Sequence, residues 1–230
     1  MSEMKYCYRY PHPAVTADCV VFGFDGLNIK VLLVERAREP YKGSWAFPGG
    51  FMNIDESADE CAVRELKEET GLDGVSVEQF YTFSDVHRDP RERVITVAYY
   101  ALVRMSEVHG GDDAAKAGWF SLDNLPDLAF DHDRILKKAL ARLRERICFE
   151  PIGSGLLPEV FTMDSLQNLY EAILDVRFDR RNFSSMMLKT GVLVEEPDGL
   201  ADAPAGPPEK YRFNAEKYAE LRQGGFRLEF

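Results

Sequence analysis

A chain of 230 residues, 45% of them hydrophobic, holds enough apolar material for one or two compact domains. Its net charge of −11 and pI near 4.9 oppose polyanion binding over the whole surface, so contact with nucleic acid requires a local basic patch. No apolar run reaches the roughly 18–20 residues that cross a bilayer, and the start (Met1 to Tyr6) lacks the apolar core of a signal peptide, so no membrane partner is expected. Cys7, Cys19, Cys61 and Cys148 form no C-x-x-C pair and no tight cluster. They read as reduced, mostly buried thiols in a reducing, cytoplasmic setting, and not as a disulfide framework or zinc site.

Residues 14–24 alternate loosely and are rich in Val and Phe, which predicts a strand. Asp25-Gly26 is a turn signal, and residues 29–34 complete a hairpin. Residues 37–44 are loop-like and lead into Trp45-Ala46-Phe47-Pro48-Gly49-Gly50. From Ser57 to Thr70 the apolar positions Ala58, Cys61, Ala62 and Leu66 recur at three and four residues, which predicts a helix. Ser57 and Glu60 fit a capping box, and Gly71 fits the helix end. Strand-like segments follow at 75–84, 93–104 and 117–120, and a helix is predicted over 132–148. Residues 1–150 therefore read as α+β with a mixed sheet.

Residues 151–158 look like a linker, and 151–230 form a second, smaller unit. There Thr162 caps a helix to about Leu174, and Asp179 caps another to about Thr190, stopped by Gly191. Residues 192–194 and 211–213 read as two strands separated by 195–209, a stretch rich in Pro, Gly and acid. Helix, turn, helix, then a hairpin is the order of a winged helix-turn-helix.

Residues 50–72 read GFMNIDESADECAVRELKEETGL. On a helix, residues three and four apart share a face, so Glu65, Glu68 and Glu69 are expected to project together. Like charges so placed disfavour one another by a few tenths of a kcal/mol per pair unless a cation neutralises them. Carboxylate oxygens suit Mg²⁺ or Mn²⁺, and Mg²⁺ borrows its remaining ligands from water and substrate phosphates. Gly49 and Gly50 let the backbone come close to a ligand. Each glutamate taken singly is surface decoration; the joint pattern is what points to a site.

The spacing matches the Nudix box at Gly50, Glu56, Arg64, Glu65, Leu66, Glu68, Glu69, Gly71 and Leu72, with no required position departing. Residues 1–150 thus resemble the Nudix hydrolases, with an α/β/α sandwich around a mixed sheet. The resemblance implies cleavage of a nucleoside diphosphate linked to another moiety, with ADP-ribose or a similar nucleotide sugar favoured. It implies Glu65, Glu69 and the Gly49 carbonyl as metal ligands, with Glu68 bound directly or through water. One of these glutamates would help deprotonate the attacking water, Arg64 would orient Glu65, and Glu56 would hold the loop–helix geometry. Arg36 and Arg38 are candidates to meet the phosphates, against a plain surface role. Phe47, Tyr81 and Phe83 are candidates to stack on a base, although the core is their commoner place. Arg91 and Arg93 read as solvated loop residues, and His87 alone is weak evidence for catalysis. A further acidic ligand is sought among Glu107, Asp112 and Asp113.

The second unit resembles the winged helix of Nudix-related transcriptional regulators, which respond to ADP-ribose or to sugars. Arg180, Arg181 and Lys189 on the second helix are the candidate DNA contacts. Against DNA stands charge: residues 151–230 hold nine Lys or Arg against thirteen Asp or Glu, and the candidate wing carries acids and no base. The complete box favours an active, metal-dependent pyrophosphohydrolase as the first reading. A ligand-sensing DNA-binding regulator is the alternative. A homodimer is expected by resemblance alone.

Overall fold

The structure is a computed structural model that describes residues 8–108, 110–111, 114–148, 152–196 and 209–224. Seven strands form one mixed sheet: β1 (Ala14–Phe24), β2 (Ile29–Arg36), β3 (Trp45–Ala46), β4 (Gly49–Phe51), β5 (Glu78–Phe83), β6 (Val94–Leu102) and β7 (Ala114–Ser121). β1 is central. It pairs antiparallel with β2 and β4, and parallel with β6 from Ala14↔Val94 to Phe22↔Leu102. β1 is buried on both faces because each face is covered. Cys19 and Val21 pack toward α1 (Ala58–Thr70), whereas Val20, Phe22 and Phe24 join the core beneath α2 (His132–Ile147).

The start of α1 is fixed as the sequence predicts. Ser57 accepts from the Glu60 N–H, the Glu60 carboxylate accepts from the Ser57 N–H, and Gly71 ends the helix at φ 75°. β3 and β4 were not expected: two or three residues are too few for any period to register. Cys19 and Cys61 are buried and Cys148 is half-buried, all as free thiols. No helix is long and apolar enough, among the described residues, to cross a membrane.

Behind this layer stand α3 (Met163–Leu174) and α4 (Arg180–Lys189), capped by Thr162 and Asp179 as expected. A three-stranded sheet follows, ordered β8 (Phe161–Thr162), β10 (Lys210–Phe213), β9 (Leu193–Glu196). A last helix, α5 (Ala215–Gln223), was not predicted, and β8 is again too short to be seen in sequence. The Glu171 carboxylate fixes the turn between α3 and α4. It accepts from the Phe178 N–H, Gln167 Nε2 and Arg177 Nη1.

The expected linker is a packed segment. Ile152, Leu156 and Leu157 are buried, and the Leu157 carbonyl accepts from Arg104 at 2.7 Å. The cause is composition: three large aliphatic side chains within six residues are driven off the surface. One apolar cluster runs from Val20 and Phe22 through Ile135 and Leu143 to Leu166, Phe183 and Tyr211. Most of the wing, residues 197–208 with Asp198 and Asp202, lies outside the described residues, as do Cys7, Asp112 and Asp113.

Candidate functional site

A cleft of about 410 Å³ opens where β1, β2, β4 and α1 meet the start of α2. That is the size range of small-molecule sites. Glu65, Glu68, Glu69, Arg64, Gly49, Gly50, Arg36, Arg38 and Phe47 all line it.

Arg64 is the hub of the acidic wall. Its Nε and Nη2 donate to both oxygens of Glu56 at 2.9 and 2.6 Å. Its Nη1 donates to Glu65 at 2.7 Å and Glu68 at 2.9 Å. That guanidinium pulls the Glu56 carboxyl down to about 2. Glu56 also accepts from the Asn53 N–H at 2.7 Å, which ties the loop after β4 to the helix. The absence of a side chain at Gly50 leaves the Glu65 carboxylate its place, since a Cβ would sit 2.6 Å from Glu65 Oε2.

The three glutamates therefore share a cleft but not one cluster. Glu65 and Glu68 turn to Arg64, whereas Glu69 turns inward and accepts from the Gly49 N–H at 3.0 Å. Glu69 is only 8% exposed. Burial, with the charges of Glu65 and Asp18 adding, pushes its carboxyl up to about 8, while the Gly49 N–H opposes this. Glu65 is also raised by burial. Among the described residues no three acidic, His or Cys side chains converge as a ready-made metal cage. All three line the one cleft, with Arg64 as counter-charge to Glu65 and Glu68. The donor set still fits a hard divalent cation. Buried Glu69 and half-buried Glu65 are carboxyls whose negative charge burial disfavours, and one or two protein carboxylates completed by water and phosphate oxygens is how Mg²⁺ is commonly held.

Phe47 is 2% exposed and its ring stacks on His132, centres 5.3 Å apart at 9°. Its expected role as a substrate contact is corrected to that of a floor residue, because its face is already covered. Tyr81 and Phe83 lie away from the cleft, in a groove between β5 and α2. His87 is exposed and lines no part of the cleft, and Arg93 donates to the Asp85 carbonyl.

Sequence reasoning missed Asp18, Arg88, Asp89, Arg91, Phe130, Asp131 and His132. Arg88 is buried and donates to Asp131 at 3.2 and 2.7 Å, with Asp18 at 3.7 Å. The His132 imidazole is held neutral by burial. The Thr16 hydroxyl, in the cleft wall, is buried without a hydrogen-bond partner. One signal was available: Asp18 is the sole charge in an eleven-residue apolar strand. A carboxylate there either finds partners or faces a ligand.

On α4, Arg180, Arg181 and Lys189 are all exposed, and Arg180 pairs with Asp164 at 3.0 Å. Two described wing acids are engaged: Glu196 with Arg212, and Glu209 with the Tyr211 hydroxyl.

Two family models match the chain: the NUDIX domain over residues 12–143 and the NrtR DNA-binding winged helix domain over residues 153–213. The chain is 36% identical to the ADPR responsive transcriptional repressor NtrR of Acinetobacter baylyi, over 91% of its own length and 85% of the repressor's. It is 42% identical to the ADP-ribose pyrophosphatase of Methanocaldococcus jannaschii, over 59% of its own length and 78% of that enzyme's. Shewanella oneidensis NrtR superposes with a TM-score of 0.75 at 27% identity, covering 93% of this chain and 97% of that one. The Shewanella protein has also been solved with a 27mer DNA, and its NUDIX domain with ADP ribose.

Proposed function

Since this chain belongs to the Nudix family and carries an NrtR-type winged helix behind its Nudix domain, we propose that it is a DNA-binding transcriptional regulator that responds to a nucleoside diphosphate sugar such as ADP-ribose. In this reading residues 1–150 hold the ligand and residues 151–230 hold DNA, within a cytoplasmic homodimer. The observation that carries it is the likeness to a repressor across both domains. The exposed Arg180, Arg181 and Lys189 of α4 supply the cations that meet phosphate. Against it stands the acidic wing, of which Glu196 is neutralised by Arg212.

A second reading is favoured by the complete box: the same cleft is a metal-dependent pyrophosphohydrolase. Glu65, Glu69 and the Gly49 carbonyl, with Glu68 directly or through water, would hold Mg²⁺ or Mn²⁺. When bound, the ion supplies a water of lowered pKa and neutralises charge at phosphorus. Arg64 keeps Glu65 and Glu68 in position through its three carboxylate partners. One of Glu65, Glu68 and Glu69 would take the proton of the attacking water. The Gly49 and Gly50 backbone leaves room for the diphosphate. The two readings are compatible in one molecule.

The test is a paired assay on the full chain. Fluorescence anisotropy measures binding to DNA from upstream of its own gene, with and without ADP-ribose, and product formation is followed with Mg²⁺ present. DNA binding altered by ADP-ribose supports the regulator. Turnover abolished in Glu69→Gln supports the hydrolase. DNA binding indifferent to every nucleotide sugar, alongside efficient turnover, would reduce the protein to its enzyme.

A further inference from the structure

At the rim of the cleft two guanidiniums share one aromatic ring. Arg36 Cζ lies 4.7 Å and Arg91 Cζ 5.7 Å from the centre of the Phe130 ring. Arg91 also stands 5.0 Å over Phe51, and Tyr41 packs edge-on against Phe130 with centres 4.7 Å apart. Arg36, Arg91, Phe51 and Phe130 all line the cleft. The backbone is strained to make this arrangement, because Tyr41 and Phe130 adopt φ of 63° and 54°. Side chains with a Cβ rarely enter that region, and where they do the strain clusters at functional sites.

Each arginine is tied along one edge and open along another. Arg36 Nε donates to the Pro40 carbonyl at 2.8 Å. Arg91 Nε and Nη2 donate to Asp89 at 3.0 and 2.7 Å. No described residue accepts a hydrogen bond from either Nη of Arg36 or from Nη1 of Arg91. Burial and the charge of Arg91 hold the Arg36 guanidinium below its ordinary range. Two like charges are thus gathered, that of Arg91 offset by Asp89, with donor edges left for an anion and their flat faces set against aromatic rings.

We infer that Arg36 and Arg91, set against Phe130, form a clamp for the diphosphate of the ligand, and that Arg91 selects a diphosphate over a monophosphate. A guanidinium matches phosphate oxygens as a planar fork, which a lysine does not reproduce. Two forks are filled by two phosphate groups, whereas one phosphate leaves a fork without its acceptor. Phe130 positions both forks and touches neither phosphate. The inference rests on the reading of the cleft as a nucleoside diphosphate site and gives the selecting residue there.

The test is calorimetric titration of the full chain in EDTA, so that binding is not coupled to turnover. The probes are inorganic pyrophosphate, inorganic phosphate and ADP-ribose. The wild type is expected to bind pyrophosphate at least about tenfold more tightly than phosphate, the worth of one charge-assisted contact. Arg91→Gln removes that preference and weakens ADP-ribose by about tenfold, with phosphate affinity within about threefold; because it also takes from the buried Asp89 its ion-pair partner, its melting temperature is expected to fall, and the titrations are run well below it. Arg91→Lys, which keeps the charge without the fork, regains only part of the preference. Pyrophosphate bound in an Arg91-dependent way without any ADP-ribose binding would leave the clamp standing and overturn the nucleoside reading. ADP-ribose and pyrophosphate bound equally by wild type and Arg91→Gln would overturn the clamp alone. Binding of neither probe by the wild type, in EDTA or with Ca²⁺ in its place, would overturn both.

Discussion

Nδ1 of His132, the first residue of α2, accepts a hydrogen bond of 2.9 Å from the backbone N–H of Phe47, 85 residues earlier. An accepting nitrogen carries no proton, so the buried imidazole is neutral, in keeping with the lowering of its pKa by burial. The ring stacking of the two side chains adds a second tie between the cleft floor and α2. Replacing His132 by Ala strands a buried N–H and opens a cavity, a loss of about 2–4 kcal/mol. Urea denaturation reads that loss directly.

The same pair sets a pH dependence. Unfolded, the imidazole titrates near 6.5, and folded it titrates below that value. Between the two, the unfolded chain binds more protons, so stability rises with pH. The His132 contribution is complete above the unfolded value and is lost as pH falls through the folded one. The difference in urea midpoint between wild type and His132→Gln is expected to shrink from about pH 7.5 to about pH 5. A difference that stays constant across that range would remove the neutral imidazole from the account.

Arg88 and Asp131 form a buried pair whose side chains are 4% and 10% exposed. Asp131→Ala takes from Arg88 its hydrogen-bonded acceptor and leaves it only Asp18 at 3.7 Å, so it is expected to lose about 3 kcal/mol. Removing both charges, as in Arg88→Met with Asp131→Leu, recovers only part of that loss, because the buried Asp18 then loses Arg88. Chemical denaturation of the four species of the cycle checks both statements.

The two glycines before α1 separate fold from chemistry. A Cβ on Gly49 would lie 2.7 Å from Asp18 Oδ1 and would press on the backbone of β1, so Gly49→Ala is expected to destabilise by more than about 2 kcal/mol. The atoms nearest a Cβ on Gly50 are those of the Glu65 carboxylate, the end of a flexible side chain. Gly50→Ala is therefore expected to keep its melting temperature and lose metal-dependent turnover by about a hundredfold, as displaced catalytic groups do. A melting curve and a hydrolysis assay on each variant distinguish the two effects.

In the proposed DNA contact the charges of α4 would act through phosphate. Arg181→Ala is expected to weaken DNA binding on any sequence and to lower the slope of log K against log salt by about 1. Arg180, already paired with Asp164, is expected to cost less. Anisotropy titrations at several salt concentrations give both slopes.

Local features were legible in the sequence because their causes are local. The box, the capping pair Ser57 and Glu60, the stop at Gly71, and the helix starts at Thr162 and Asp179 each rest on neighbours within a few residues. The other half of the cleft is not local. Asp18, Arg88, Phe130 and His132 come from a central strand, a loop and a helix start, and only the sheet brings them together. Arg91 looks like a solvated loop residue until Phe130 and Phe51 arrive beside it. Phe47 shows the opposite case, in which one aromatic residue beside a motif suits either a base or the core and packing decides. The linker reading failed because Pro and Gly at 151–158 signal turns and say nothing of whether Ile152, Leu156 and Leu157 find a core.

α2 begins at His132, against the cleft floor, and sixteen residues later its far turn packs on the winged helix, where Arg144 Nε donates to the Ile173 carbonyl at 2.9 Å. Its length, about 24 Å, is the span from the cleft floor to the contact with α3. A rod gripped at both ends cannot be moved at one without work at the other. If the cleft's ligand shifts α2, the factor by which it changes affinity for DNA is the factor by which DNA changes affinity for the ligand. A promoter fragment would then be an effector of the nucleotide site as much as its target, and the occupancy of each would carry a record of the other.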